Sequence, residues 1–430
     1  MVHSDRCKSI RREAHAMPDD RPQPISTRPL FQAGPDDARR SALIDLAARG
    51  PVSRIELPDG RQAWFVTGFN TARAAMMDRR LRKTTAQMPF AERLPHLTGA
   101  MHDHMLNANP PDHTRLRRLV SAAFTRRRVE ALEPQIEQIS AELLEQLAAT
   151  LDAGRSADLL TEFAFPLPFR VICHLIGLPL LDEPEFRAYF TVLTRGTMAG
   201  EKAYGCAADG LLTLTRRLIS EKRRAPADDL LSALVTVGED GDRLTEGELT
   251  SMVQLLVAAG HETTTNLICN GVLALLRHPG QLALLRAEPD RIEAAVEEIL
   301  RYDNSVQVAF PLVAAEPLDL EGQHIAAGDA VLVSLLGANL DPAANDEPER
   351  FDITRSPAHL AFGHGIHHCL GAPLARLEAR IALRTLLDRF PDLALAEDPA
   401  APAERNASVI FNAVQRLEIC RAGVRSTAAD

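Results

Sequence analysis

Residues 244–280, LTEGELTSMVQLLVAAGHETTTNLICNGVLALLRHPG, form one long helical pattern. Thr245 and Glu248 stand in capping-box spacing at its start, and His278-Pro279-Gly280 stops it. Its apolar residues lie on nearly every side. A helix of that kind must run through a core, with other helices packed around it. The rest of the chain supplies them. QIEQISAELLEQLAATL (135–151), DGLLTLTRRLISEKRR (209–224) and RIEAAVEEILRYD (291–303) each show apolar residues at helical spacing. Strand signals are short: a hairpin at 53–66 around Asp59-Gly60, then 329–337 and 409–419. Strand and helix do not alternate regularly, which argues against a doubly wound sheet. The pattern predicts a mainly α fold with small β-sheets. One unit is expected over 28–420, between a disordered tail at 1–27 and a C-terminal tail at 421–430.

A chain of 430 residues can bury a large core. Its net charge of -10 gives no reason to expect nucleic-acid binding. No apolar run is long enough to predict a membrane anchor, and the charged N-terminus lacks the apolar stretch of a signal peptide. The six cysteines are scattered without paired spacing, which fits reduced thiols and a cytoplasmic location.

Cys369 is the exception among them. It lies in AFGHGIHHCLG (361–371), amid histidines and glycines, just before the helical segment PLARLEARIALRTLLDRF. Three readings are open: a buried structural thiol, a zinc ligand with His364, His367 or His368, and an axial thiolate to haem iron. No opposing pair of zinc ligands stands elsewhere. The haem reading accounts for more of the surroundings. Gly363, Gly365 and Gly371 would let backbone approach a flat ring, and Pro373 suits a first helical turn. A thiolate at that helix N-terminus is stabilised by unpaired N–H groups and the helix dipole.

Phe362, Gly363, Gly365, His367, Cys369 and Gly371 together resemble the haem-binding signature of the cytochrome P450 family. The long helix carries AGHETT, Ala259 to Thr264, similar to that family's oxygen-activation motif. The resemblance makes Glu262 the catalytic acid and Thr263 the catalytic alcohol, with Ala259 and Gly260 beside the cofactor. EEILR gives Glu298 and Arg301, similar to the family's Glu-x-x-Arg motif, and PERF offers Arg350 as the later arginine of that network. NPPDHTRLRRLVSAAF places His113 and Arg117 one helical turn apart, and the resemblance implies that they and His367 donate to the haem propionates. The family's further propionate arginine is missing: Pro311 or Leu312 occupies its place, with His324 or backbone N–H groups as possible substitutes.

The resemblance implies haem b between the long core helix and the Cys369 helix, with O2 as co-substrate. It implies insertion of one oxygen atom into an apolar secondary-metabolite, terpenoid, steroid or peptide-type substrate. The chain has no flavin or iron–sulfur module, so NAD(P)H electrons are expected through a ferredoxin reductase and a ferredoxin. Arg115, Arg118, Arg126 to Arg128, Arg376 and Arg380 form the expected docking patch. Substrate-lining residues are expected from 88–105, 256–263, 306–312 and 409–411. A peroxygenase or non-hydroxylating catalyst of the same fold is the nearest rival, and the Glu262–Thr263 pair opposes it. A catalytically silent binding partner is the rival of another class, and Cys369 opposes that.

Overall fold

The computed structural model describes residues 22–84, 93–94, 97, 101–179, 183–193, 199–236 and 243–423. The long helix spans Glu246–Arg277. Its capping box is formed: Glu248 N–H donates to Thr245 Oγ1 at 3.2 Å, and Thr245 N–H to Glu248 Oε2 at 2.8 Å. The principal helices are labelled here α1 Asp36–Ala47, α2 Phe69–Met77, α3 Asp112–Ala123, α4 Glu133–Leu151, α5 Pro166–Ile176, α6 Glu201–Arg224, α7 Glu246–Arg277, α8 Ile292–Tyr302 and α9 Ala372–Arg389. α5, α6, α8 and α9 pack directly on α7. Its side chains from Leu267 to Leu276 are all buried, as the all-round apolar pattern requires.

At one side lies a mixed sheet of β1 Ile25–Ser26, β2 Val52–Glu56, β3 Gln62–Val66, β4 Leu81–Arg82, β5 Leu312–Ala314 and β6 Ala330–Val333. Its spatial order is β1-β2-β3-β6-β5-β4. The expected hairpin is β2–β3, with Arg54 opposite Trp64. β6 runs parallel to β3 and antiparallel to β5, where Val331 faces Leu312. β4 closes the edge, with Arg82 opposite Val313. This register brings residue 83 beside residue 312, which matters below.

Three expectations need correction. The tail expected at 1–27 is too long: Ile25 and Ser26 pair with Ile55 and Glu56 as an edge strand, while residues 1–21 lie outside the described residues. Arg421, expected in the C-terminal tail, pairs with Leu393 in the last strand, Glu418–Arg421. The apolar run 409–419 is mostly not a strand. Two isolated bridges, Phe411 with Val306 and Val414 with Arg405, and the start of that last strand are the extended parts there. Asn412 interrupts the pattern because its side chain is buried and donates to Asp303 at 2.7 Å.

Candidate active site

The loop before α9 folds around its glycines. Gly363 and Gly365 adopt φ of +71° and +73°, conformations that side chains resist. Cys369 N–H closes the loop on the Phe362 carbonyl at 2.9 Å. Burial pushes the Cys369 thiol pKa up, while the backbone N–H groups of Gly371 and Ala372 and the Arg117 guanidinium pull it down. These N–H groups belong to the first turn of α9, so the helix terminus faces sulfur as the sequence implied. Behind the loop, the Phe362 ring lies 4.5 Å from the Arg376 guanidinium. Arg376 is in turn held by both oxygens of Glu297, at 2.5 and 2.9 Å.

Cys369 opens into a cavity whose opposite wall is α7, through Leu256, Ala259, Gly260, Thr263 and Thr264. The Thr263 hydroxyl donates to the Ala259 carbonyl at 2.8 Å, one turn back. Glu262 does not line the cavity; it is half-buried and accepts from Asn266 Nδ2 at 3.4 Å. Gly260 serves packing as well as access. A Cβ there would meet Ile172 Cδ1 at 2.8 Å, so α5 can approach α7 closely only at a glycine. Gly365 likewise answers to protein rather than to a ring: its Cβ would lie 3.1 Å from the Met76 carbonyl, and the residue does not line the cavity. Gly363 does line it, with no atom within 4 Å of an added Cβ.

One end of the cavity is cationic and rich in donors: Lys83, His113, Arg117 and His367. The rings of His113 and His367 meet edge to face, 4.4 Å apart. Burial, then the Arg117 charge, lowers the His113 pKa. Burial, with Lys83, His113 and Arg117, brings His367 down to about 3. Both imidazoles are therefore neutral near pH 7. His113 Nε2 is buried without a partner among the described residues. An orphaned buried donor beside three half-buried basic side chains suits an anion. His324 is not part of it; it is exposed and paired with Asp319 at 3.1 Å. Of Pro311 and Leu312, only Leu312 lines the cavity.

The apolar lining includes Met105, Phe124, Ile172, Leu255, Val306 and Phe310. Residues 409–411 do not contribute to the lining. Most of the 88–105 segment lies outside the described residues.

The Glu298–Arg301 pair is fully buried and bidentate, at 2.8 Å for both bonds. Arg350 does not join it through its side chain. That guanidinium is exposed and bonded to Glu347 and Asp352, while only the Arg350 carbonyl accepts from Arg301 at 3.0 Å. The arginine that approaches Glu298 is Arg355, at 3.4 Å, with an ion pair rather than a hydrogen bond. PERF is followed by a turn that sends Arg350 outward and Arg355 inward.

A second buried network had no motif to announce it. Arg405 donates to Asn270 of α7 at 2.6 Å and to Asp303 at 2.7 Å. Its signal in sequence was a lone arginine in an otherwise weak segment. The arginines of the expected docking patch are largely paired internally: Arg115 with Glu248, Arg126 with Glu130, Arg128 with Asp228, Arg376 with Glu297 and Arg380 with Glu133.

The cavity therefore offers a thiol on two helix-terminal N–H groups, a hydroxyl on the facing helix, and cations with an orphaned imidazole at one end. These residues fit haem: a thiol that could ligate its iron, a cavity between that thiol and α7, and donors for carboxylates. Among the described residues no group of three or more His, Cys, Asp and Glu side chains is placed to hold a metal ion, so the zinc reading finds no ligand set. The sequence pattern of the cytochrome P450 family matches residues 201–413. The cytochrome P450 monooxygenase PikC of Streptomyces venezuelae is 47% identical over 361 residues, covering 82% of this chain and 84% of PikC. The chain belongs to the cytochrome P450 family.

Relatives of this P450 include 6-deoxyerythronolide B hydroxylase of Saccharopolyspora erythraea, 41% identical over 82% of this chain and 89% of that one. The solved structure of the tirandamycin C-bound P450 monooxygenase TamI superposes with a TM-score of 0.80 at 40% identity, covering 89% of this chain and 96% of that chain. The fold is the single P450 fold, and the protein is a monooxygenase that uses haem and O2. No helix among the described residues is long and apolar enough to cross a membrane.

Proposed function

We propose that this P450 inserts one oxygen atom from O2 into a bulky, mainly aliphatic substrate of polyketide or macrolide type, with electrons from a ferredoxin. The observation that carries the reading is the cavity between Cys369 and Thr263, walled by Leu, Ile, Val, Met and Phe side chains. Haem, when bound, supplies the iron at which dioxygen is activated. Cys369 would hold it, and His113, Arg117 and His367 would hold its carboxylates. The N–H groups of Gly371 and Ala372 temper the electron donation of the Cys369 sulfur. The Thr263 hydroxyl turns from the Ala259 carbonyl to hold a proton at the reacting face. Glu262, beside Asn266 and outside the cavity wall, passes protons towards Thr263 from the solvent side. The apolar lining binds substrate and excludes bulk water, so protons arrive only through that route.

The names of relatives support the substrate class, and the exposed Met77 and Ile366 beside the Cys369 loop offer a partner an apolar contact. A panel of macrolactones, linear polyketides, steroids and peptides tests the reading by Soret shift, followed by product analysis with a ferredoxin, its reductase and NAD(P)H. Macrolactones or polyketides are expected to shift the band and yield oxygenated product. Turnover supported by peroxide but not by ferredoxin would overturn the electron route. Binding confined to steroids or peptides would overturn the substrate class.

A further inference from the structure

Lys83 follows β4 directly and lies in the wall of the cavity. Its side chain is half-buried, and the ammonium donates to the Phe310 carbonyl at 2.5 Å. Burial brings its pKa down to about 7, and no acidic side chain contributes to that shift. A cation partly withdrawn from water and held by one neutral carbonyl is well placed to gain from an anion nearby. Lys83 shares the cavity wall with His113, Arg117 and His367.

The backbone explains why it is there. β4 pairs with β5 so that Arg82 stands opposite Val313, which carries Lys83 alongside Leu312. Leu312 is buried, lines the cavity, and is with Pro311 one of the two positions at which the family's further propionate arginine is expected. Lys83 is also pinned from the other side. Its N–H donates to Asn109 Oδ1 and its carbonyl accepts from Asn109 Nδ2, both at 2.9 Å. The Asn109 carbonyl in turn accepts from the His113 N–H at 2.9 Å. One asparagine thus fixes Lys83 to the turn that leads into α3, the helix bearing His113 and Arg117.

We propose that Lys83 is a cofactor-binding residue: its ammonium pairs with a haem propionate and supplies from β4 the charge that Leu312 removes from β5. The inference rests on the haem reading above. It completes the charge balance of the clamp. Arg117 and Lys83 bring two basic side chains to the end of the cavity where the His113 and His367 rings meet, and a carboxylate beside Lys83 would hold it in its charged form. A lysine suits the task because a point charge on a flexible stem can leave the Phe310 carbonyl and reach a carboxylate from a neighbouring strand.

The test measures the rate at which ferric holoprotein loses haem to excess apo-globin. A charge-assisted hydrogen bond is expected to matter by roughly tenfold to a hundredfold in affinity. Lys83→Met should accelerate haem loss by that factor while the reduced carbonyl complex keeps its thiolate-type Soret band. Lys83→Arg should stay near wild type. Adding Leu312→Arg to Lys83→Met should restore most of the retention, because it returns a cation to the same space. Haem loss from Lys83→Met within about twofold of wild type would overturn the proposal. So would rapid loss that Leu312→Arg does not slow, which would assign Lys83 a role in the β4–β5 edge alone. Absence of the thiolate-type band from wild type would instead defeat the haem reading itself.

Discussion

Glu297 holds the back of the Cys369 loop, and its removal has a signature in pH. The carboxylate accepts from Arg376 at 2.5 and 2.9 Å and from His359 at 3.0 Å. Burial alone would raise its pKa; the Arg376 fork and His359 outweigh burial and hold it down at about 2, against an ordinary 4.5. A folded-state pKa below the unfolded one means stability that is present above about 4.5 and lost as pH falls towards 2. The full shift would correspond to about 3 kcal/mol. About a third of the Glu297 side chain and somewhat more of Arg376 is exposed, at 32% and 39%. Solvent screening therefore reduces the contribution to about 1–2 kcal/mol. Glu297→Gln should lose that amount at pH 7. If the contact forms late in folding, unfolding accelerates about 5- to 30-fold. Loss of the thiolate-type Soret band at fixed temperature, followed from pH 7 to 3.5 in both proteins, gives the ratio of rates. Other carboxylates act on both proteins and cancel. The ratio should shrink below pH 4.5. A ratio of one at pH 7, or one unchanged across the range, would refute the reasoning.

Cys369→Ala should abolish the long-wavelength Soret band of the reduced carbonyl complex; its survival would move the iron ligand elsewhere. Thr263→Ala should retain haem and substrate binding while diverting NAD(P)H electrons to peroxide or water, measured as product formed per NAD(P)H consumed. Arg301→Met should destabilise the fold by about 3 kcal/mol, because it leaves the buried Glu298 charge with only Arg355 and the Asp352 N–H, and thermal unfolding would show it. Arg350→Ala should leave the thermal midpoint close to wild type, since its guanidinium is at the surface.

The parts of this fold legible in sequence are those where one local rule dominates. Thr245 and Glu248 marked the start of α7 because capping is a matter of a single turn. Cys369, Gly363 and His367 were readable because sulfur placement, positive φ and the donor face all fall within one short loop. Thr263 was found through its place on α7, and the structure sets it in the cavity wall. Long-range pairing was not readable. Arg350 and Arg355 are five positions apart in a turn, and nothing local decides which faces Glu298. Lys83 carries no local signal; only the register of β4 on β5 places it beside Leu312. Arg405 depends on Asn270 and Asp303, which are more than a hundred residues away.

The ion pairs around the arginines of the expected docking patch bear on the encounter with the electron donor proposed above. A lone guanidinium projects its charge outward for about a Debye length, whereas a guanidinium beside a carboxylate projects a dipole, whose influence fades faster. Arg115, Arg126, Arg128, Arg376 and Arg380 each stand beside such a carboxylate. An approaching acidic protein meets little long-range pull and must trade partners with these carboxylates at contact. Ile366 and Met77, exposed at 51% and 63%, then weigh more in the encounter. Added salt should slow the donor's arrival less than the count of arginines implies, and selectivity among donors should follow the fit around those two apolar side chains.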